Sequence, residues 1–365
     1  MNISSPAELK TPKSQLLGMT LAAGWTLVER LEPSNGSTGG NFGVGYKATK
    51  GANIAFVKAI DFVEALQSPD PFAQIALLTQ VAVFERDVLE YCAARKMSRV
   101  LQFFGHEYVW VGDQTNPLNR VSCLILEAGQ SDLRRLLTAN GLATCAWNLQ
   151  VLRDVAQAVT QLHRGEIAHQ DIKPSNVISF ADATTTTSSN VKVGDLGRVV
   201  RKSQSGPFDS LAWPGDPRYS PPERWYGHVP PDWCDAREAS DAYMLGSLLV
   251  FLFTGATLQT LVMNLIPAAF RPHEWAGRYD EDLLPVLMSA HASVLTECLR
   301  PTLMPELADA ILEIARALTN PDPKIRGDSR ARRQIGRSVG IDRIHQKLSA
   351  VATRCALINR GRQAP

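Results

Sequence analysis

A chain of 365 residues, 45% hydrophobic and 20% charged, can bury one large core or two moderate ones, which excludes the disordered and fibrous classes. Its net charge is only +2, yet from Lys324 onward eleven Lys and Arg stand against two Asp, a local +9 that leaves −7 for the rest. No aromatic residues interleave with that basic stretch, so it reads as solvated surface beside a packed helix rather than as a nucleic-acid interface.

In chain order, "MNISSPAELKTPKSQLLGMTLAAGW" holds a short apolar run after two Lys, but Glu8 falls in the would-be basic region. "GWTLVERL" already alternates like a first strand, so residues 1–23 are expected to be an N-terminal extension and not a secretory signal. From 24 to 126 come short alternating runs ("WTLVERL", "VGYKAT", "IAFVKAI", "YVWVG", "VSCLILE"), interrupted by a helical stretch from about Pro71 to Lys96. That predicts a small sheet with one helix. After "EAGQ" (127–130) helical periods take over in "SDLRRLLTA", "AWNLQVLRDVAQAVTQLHRG", "SDAYMLGSLLVFLFTG" and "LADAILEIARALT". The expected organisation is α+β, with a β-rich lobe over 24–126, a helical lobe over 127–330 and a cleft between them as the default binding site.

The segment "ADATTTTSSN" reads as a hairpin loop between the short strands "NVISF" and "VKVGD". The uncharged stretch from Ala242 to Phe270 is broken by "FTGATLQT" and Pro267, which predicts a buried helix and a loop, not a membrane span. Residues 331–365 form a basic C-terminal helix and tail. There Ile344, Leu348, Val351, Cys355 and Ile358 recur every three or four residues as one apolar stripe, expected to dock on the large lobe or to form a dimer contact. Six cysteines without CxxC pairs or zinc spacing read as buried thiols in a reducing compartment, and a cytoplasmic location is expected.

The stretch "IAHQDIKPSNVISF" (167–180) carries the chemistry. A carboxylate at Asp171 can orient an attacking hydroxyl and accept its proton, and the cation at Lys173 can neutralise a transferring phosphoryl group. Asn176 offers a neutral oxygen to a divalent metal, and in "VGDLG" Asp195 offers a hard carboxylate that could hold Mg²⁺ on the phosphates of ATP. Phosphoryl transfer makes these demands, since its catalysis is mostly positioning and electrostatics. Each acid alone could instead cap a turn.

The ordered set resembles the protein kinase family. "HQDIKPSN" is similar to the HRDxKxxN catalytic loop and "DLG" to the DFG metal site. "GDPRYSPPE" resembles GTPxYxAPE, "SDAYMLGSLL" the buried helix after it, "FVKAI" the VAIK strand, and "TGGNFGVGYKA" the glycine loop GxGxxGxV. The resemblance covers residues 24–330 and implies the bilobal kinase fold, with ATP and Mg²⁺ as cofactors and a protein Ser/Thr hydroxyl as acceptor. It further implies roles: Asp171 as base, Lys173 as charge stabiliser, Asn176 and Asp195 as metal ligands, Lys58 as phosphate anchor, and Gly40 and Gly43 in the phosphate lid. Leu126 would be gatekeeper, with Glu127 and Gly129 presenting backbone groups to adenine. Glu223 and Arg326 match a buried structural ion pair. The style of the small lobe is similar to eukaryote-like kinases of bacteria.

Several positions depart from the pattern. Thr38 stands at the first Gly of the loop, and Gly45 replaces the usual Val, removing an apolar neighbour of adenine. The helix acid that pairs with Lys58 falls in "VFERDVLEYCAA", where motif spacing places Asp87 first, with Glu85 and Glu90 as alternatives. Asp216 replaces the Thr of GTPxYxAPE and could pair with Lys173. Gln170 replaces the Arg that reads an activation-loop phosphate. Ser203, Ser205 and Ser210 with Arg198, Arg201 and Lys202 could form a substitute phosphate pocket, but the expectation is a loop held by packing of "LAWPGDPRY", with Trp213 as its apolar anchor. Two rival readings are a pseudokinase scaffold, motivated by Thr38, Gly45, Asp87 and Asp216, and a small-molecule kinase, whose HGDxxxxN loop lacks the Lys and Pro of "DIKPSN".

Overall fold

The computed structural model describes residues 11–32, 43–141, 143–181, 189–211, 213, 215–334, 336 and 338–363. Among the expected site residues, Gly40 and Thr38 lie outside the described residues, as does most of the loop "ADATTTTSSN". The described residues divide into two compact units, one within Met1–Lys96 and Leu101–Gly129, the other within Met97–Val100 and Gln130–Pro365.

In the first unit, β1 (Thr26–Leu31), β2 (Val44–Lys50), β3 (Asn53–Ile60), β4 (Phe103–Trp110) and β5 (Arg120–Glu127) form an antiparallel sheet in the order β1-β2-β3-β5-β4. The alternation read from the sequence has its physical cause here. Ala55, Val57 and Ala59 of β3 point into a core with Leu27, Tyr46, Val121, Cys123 and Ile125, while Phe56 and Lys58 take the other face. Leu16 and Leu21, which precede the strand at which the sequence reading began this unit, complete that core. They are tied in by Lys13, whose backbone N–H donates to Asp61 Oδ2 at 2.7 Å and whose carbonyl accepts from the Tyr46 hydroxyl at 2.8 Å.

Helix α1 (Pro71–Ala94) starts at Pro71 because Asp70 caps it, accepting from the Ala73 N–H at 3.0 Å. Of its buried positions, Leu78, Val81, Glu85, Val88 and Cys92 fall on one stripe of three- and four-residue steps, with Phe84 and Leu89 beside it.

In the second unit, β6 (Ser131–Asp132), β8 (Val177–Ser179) and β9 (Val191–Val193) form one small sheet, and β7 (Ile167–Ala168) with β10 (Val200–Arg201) another. The helices are α2 (Leu133–Asn140), α3 (Cys145–Arg164), α4 (Pro222–Trp225), α5 (Ala239–Thr254), α6 (Leu258–Leu265), α7 (Leu284–Ser293), α8 (Pro305–Thr319), α9 (Ser329–Arg332) and α10 (Ile341–Gln363). Helix α5 is buried from Ala239 through Val250, which accounts for its uncharged sequence. It ends where Gly255 adopts φ +75°, and α6 follows after a sharp bend. No single helix among the described residues is long and apolar enough to cross a membrane.

The C-terminal stripe finds its partner within the same unit. Ile344, Leu348, Val351 and Cys355 are buried where α10 lies on α3 and α8, with Ile358 packed at the margin. Lys347 pairs with Glu313 at 2.9 Å and Arg362 with Glu306 at 2.6 Å along the same seam.

Candidate active site

On the first unit, β3 presents Lys58 from the face opposite the core. Its Nζ lies 2.8 and 2.9 Å from the two carboxylate oxygens of Glu85, which is almost wholly buried on the α1 stripe. Motif spacing put Asp87 in this pair, and the structure corrects that placement. Asp87 stands two residues, more than half a turn, from Glu85 and binds its neighbour Arg86 at 2.8 Å. The apolar stripe carried the missed signal, because Leu78, Val81, Val88 and Cys92 leave position 85 facing the sheet and position 87 facing away.

A test follows directly. Glu85→Ala should lower phosphoryl transfer by about ten- to a hundredfold, the worth of one charge-assisted hydrogen bond, while Asp87→Ala stays near wild type. Equal losses in steady-state assays of the two variants would reverse the assignment.

Gly43 is pressed against the same lysine, since a Cβ there would lie 3.3 Å from Lys58 Cγ and 3.1 Å from the Ala59 carbonyl. Leu126 is buried at the end of β5 opposite Phe56. The Glu127 N–H is committed to the Gln102 carbonyl at 2.8 Å, closing the sheet just before Gly129.

On the second unit, the turn from His169 to Asn176 gathers the other expected residues. Asp171 is buried, with Lys173 Nζ 2.9 Å from its Oδ2 and the Asp216 N–H donating to its Oδ1 at 2.7 Å. Burial pushes the Asp171 carboxyl up; Lys173 pulls against it and the charge of Asp195 adds to it, for a net rise. Gly215 is required where it stands, because a Cβ would overlap the Gln170 carbonyl and come within 2.6 Å of Asp171 Oδ1.

Asn176 donates its amide to the Asp171 carbonyl at 2.8 Å and to Oδ2 at 3.0 Å, which assigns its own carbonyl oxygen as the acceptor end. Asp195 follows β9 in the left-handed region at φ 55°, close enough for its charge to act on Asp171. A neutral amide oxygen and a carboxylate are the hard donors that Mg²⁺ takes, so the residues present fit that ion.

Asp216 does not pair chiefly with Lys173, which stands 3.9 Å away. It is bound by Arg218, from Nη2 at 2.7 Å and from Nε at 3.0 Å, and this overcomes burial to hold its carboxyl below the usual range. The acid is therefore neutralised by its own loop.

Asp241 of α5 organises the turn from beneath. Fully buried, it accepts the N–H groups of His169 at 2.7 Å and Gln170 at 2.8 Å, and it meets His163 Nε2 at 2.9 Å. Burial alone would lower His163, but the hydrogen bond and charge of Asp241 raise it overall, and the same contact helps hold the Asp241 carboxyl below the usual range. Sequence reasoning gave Asp241 no role, although it stands in the quoted "SDAYMLGSLL".

Gln170 uses both ends of its amide here. Its Nε2 donates to Asp241 Oδ1 and to the Arg237 carbonyl, both at 3.0 Å, and its Oε1 faces Arg237 Nη1 at 3.4 Å. Arg237 in turn donates from Nη2 to the Asp209 carbonyl at 2.8 Å. The loop is held there, and by the buried Phe208, whose ring lies 3.9 Å under Arg198. Trp213, expected as the anchor, is 39% exposed, and among the described residues its ring meets that of Trp225, centroids 5.7 Å apart. Arg201 binds Gln204, which stands between Ser203 and Ser205, at 2.9 Å, and Lys202 lies 3.8 Å from Glu166. Arg237 was missed because nothing local in "CDAREASDAY" marks it; its role exists only through the folded loop.

Comparison with known proteins agrees with this geometry. The profile for the protein kinase domain matches residues 38–266. Serine/threonine-protein kinase 33 of Bos taurus is 25% identical over 160 residues, 43% of this chain and 32% of that protein. Serine/threonine-protein kinase PknB of Mycobacterium tuberculosis is 30% identical over 147 residues, 40% of this chain and 22% of its own length. Serine/threonine-protein kinase PrkC of Bacillus subtilis is 29% identical over 123 residues, 34% of this chain and 17% of its own. The chain thus matches less than a third of the length of these relatives. With more than half of its residues inside the matched region, and with the catalytic-loop, lysine and metal-site motifs in order, the chain belongs to the protein kinase domain family.

Proposed function

We propose that this protein is an ATP- and Mg²⁺-dependent protein kinase acting on serine and threonine hydroxyls, in the cytoplasm. The observation that carries the reading is the Asp171–Lys173–Asn176 cluster, buried and cross-bonded, with Asp195 near enough to act on it. On the first unit, Lys58, held by Glu85, binds the α and β phosphates, Gly43 allows the chain to approach them, and the backbone at Glu127 and Gly129 meets the base. On the second unit, Asn176 and Asp195 hold Mg²⁺, which when bound neutralises charge on the phosphates.

Asp171 orients the acceptor hydroxyl. The hydroxyl oxygen bonds to the γ-phosphorus, the bond to the β–γ bridging oxygen breaks, ADP leaves with that electron pair, and the hydroxyl proton passes to the Asp171 carboxylate. Lys173, next to the same carboxylate, balances the negative charge that spreads over the phosphoryl oxygens. The Lys58–Glu85 pair removes one argument for a scaffold without activity, since that reading leaned on Asp87.

The test is transfer of a radiolabelled γ-phosphate from ATP to protein substrates, followed by identification of the modified amino acid. Phosphoserine or phosphothreonine that vanishes with Asp171→Asn supports the reading. ATP binding without transfer to any protein, itself included, overturns it.

Activation follows from how the loop is held. With Gln170 saturated and Arg237 on the Asp209 carbonyl, a phosphate has no role in ordering the loop. A Ser203→Ala, Ser205→Ala, Ser210→Ala variant and phosphatase-treated wild type should both keep transfer within about tenfold of untreated protein, which is about 1.4 kcal/mol on the barrier. Arg237→Ala should lose more than either. A larger loss in both phosphate-free proteins would restore a phosphate reader.

A further inference from the structure

Three sulfur atoms from separate parts of the chain meet at one point of the second unit. Cys355 on α10 is fully buried, and its Sγ lies 3.9 Å from Sδ of Met304, the residue just before α8. Cys145 is the first residue of α3, and its thiol hydrogen-bonds to that of Cys355. Both cysteines are free thiols, so the three sulfurs form a chain with Cys355 in the middle. Cys145 and Met304 are only half-buried, which leaves a way in from solvent.

The donor set selects the ion. Two thiols and a thioether are soft ligands that favour Cu⁺, whereas structural Zn²⁺ takes four ligands from thiolate, imidazole and carboxylate. Metal–sulfur bonds of about 2.3 Å, set at 120° in a three-coordinate centre, hold two sulfurs about 4 Å apart, so the 3.9 Å between Cys355 and Met304 already has the span required. Burial raises both thiols, Cys145 to about 12, and keeps them protonated. A bound Cu⁺ takes the place of the two thiol protons, which leave to water, and two thiolates with one Cu⁺ carry one net negative charge. That charge falls where α3 and α8 begin, at the positive ends of their dipoles, and Arg362 lies near enough to favour the thiolate of Cys355. The Asn359 amide, donating to Cys355 Sγ at 3.9 Å, orients that ligand from behind.

We infer that Cys145, Met304 and Cys355 form a binding site for one Cu⁺ ion, which pins α10 to α3 and α8. The matched kinase region ends at residue 266, so two of the three ligands come from the chain beyond it, and the ion fastens that part to a helix of the matched region. The inference does not rest on the ATP reading, since none of these residues is assigned to phosphoryl transfer.

The experiment titrates the intact, reduced protein without oxygen, using Cu⁺ buffered by a chromogenic chelator, and follows both metal content and melting midpoint. Wild type should hold one more equivalent of Cu⁺ than Cys145→Ser, and it should melt higher with Cu⁺ than without, a shift that Cys145→Ser lacks. Met304→Leu keeps the apolar volume and should lower the affinity by about tenfold or more, since one ligand of three is gone. Cys298→Ser, at the other half-buried cysteine, should bind as wild type does. X-ray absorption at the copper edge should show sulfur ligands alone. If Cys145→Ser melts below the assay temperature, Cys145→Ala is read instead, and the absorption spectrum of wild type needs no variant. Equal Cu⁺ binding by wild type and Cys145→Ser overturns the inference, as does a spectrum with nitrogen or oxygen ligands. Loss of the same equivalent in Cys298→Ser does so too, because it marks adventitious capture by accessible thiols. Zn²⁺ that displaces Cu⁺ at equal concentration overturns the choice of ion.

Discussion

Asp171→Asn should lower transfer by about 10²- to 10⁴-fold at unchanged ATP affinity, and Asp195→Asn should lower both transfer and the affinity for ATP in the presence of Mg²⁺. The two carboxylates differ because of what surrounds them. Asp171 is enclosed by Lys173, Asn176 and the Asp216 N–H, which leaves it as the acceptor of one proton and gives it no part in holding the nucleotide. Asp195 stands at the end of β9 and is expected to hold the cation that binds the phosphates. Asn keeps the size of Asp and can still accept from the Asp216 N–H, so the turn should stay folded in Asp171→Asn. Circular dichroism and a melting curve check that point before kinetics are compared. If Asp171→Asn retained more than about a tenth of wild-type transfer, the base would have to be sought elsewhere. A fall in ATP affinity equal to that of Asp195→Asn would instead mean that the substitution had disturbed the whole turn.

The fold was legible where physics is local. Alternation on β3 and the helical periods of α3, α8 and α10 follow from which face each element buries, and a single sequence carries that pattern. The turn chemistry at Asp171, Asn176 and Asp195 was legible because those residues lie within one short segment and the strand hairpin after it. Glu85 was legible too, by its stripe, yet a count of residues between motifs pointed to Asp87. Helix phase is the stronger guide there, because a two-residue error rotates a side chain by more than half a turn.

Pairings between distant segments were not legible. Arg237 meets Asp209 across 28 residues of sequence, and Asp241 meets His163 across 78. In each case one residue's reason lies in its partner, and neither carries a mark of its own. The N-terminal segment shows the same thing on a larger scale, since Leu16 becomes core only because Tyr46 and Asp61 tether the chain ahead of it.

The ion pair beneath α5 is the place where one substitution should cost the most stability. Arg326 is 0% exposed, and each of its five N–H donors has an acceptor. Two go to Glu223 Oε1 at 2.8 Å and Oε2 at 2.7 Å, and three go to the carbonyls of Asn320 at 2.6 Å, Ala239 at 3.0 Å and Pro321 at 3.0 Å. Its guanidinium also lies 5.0 Å from the ring centroid of Tyr243. Burial opposes the charge, but Glu223 outweighs it and the arginine is held charged. Removing either partner leaves the other charge buried without compensation, so Glu223→Ala or Arg326→Ala should cost about 3–5 kcal/mol and lower the melting midpoint by about 10 °C. Arg326→Lys should fail nearly as badly, because three donors on a point charge cannot serve five acceptor positions set in a plane. Replacing both partners, Glu223→Leu with Arg326→Met, should cost less than either single alanine variant, since no charge is then stranded, although three backbone carbonyls lose their donors. Denaturant melts of the four variants decide the matter: a double replacement as damaging as the two singles summed would mean that the attraction within the pair, and not the cost of a lone buried charge, holds this part of the second unit together.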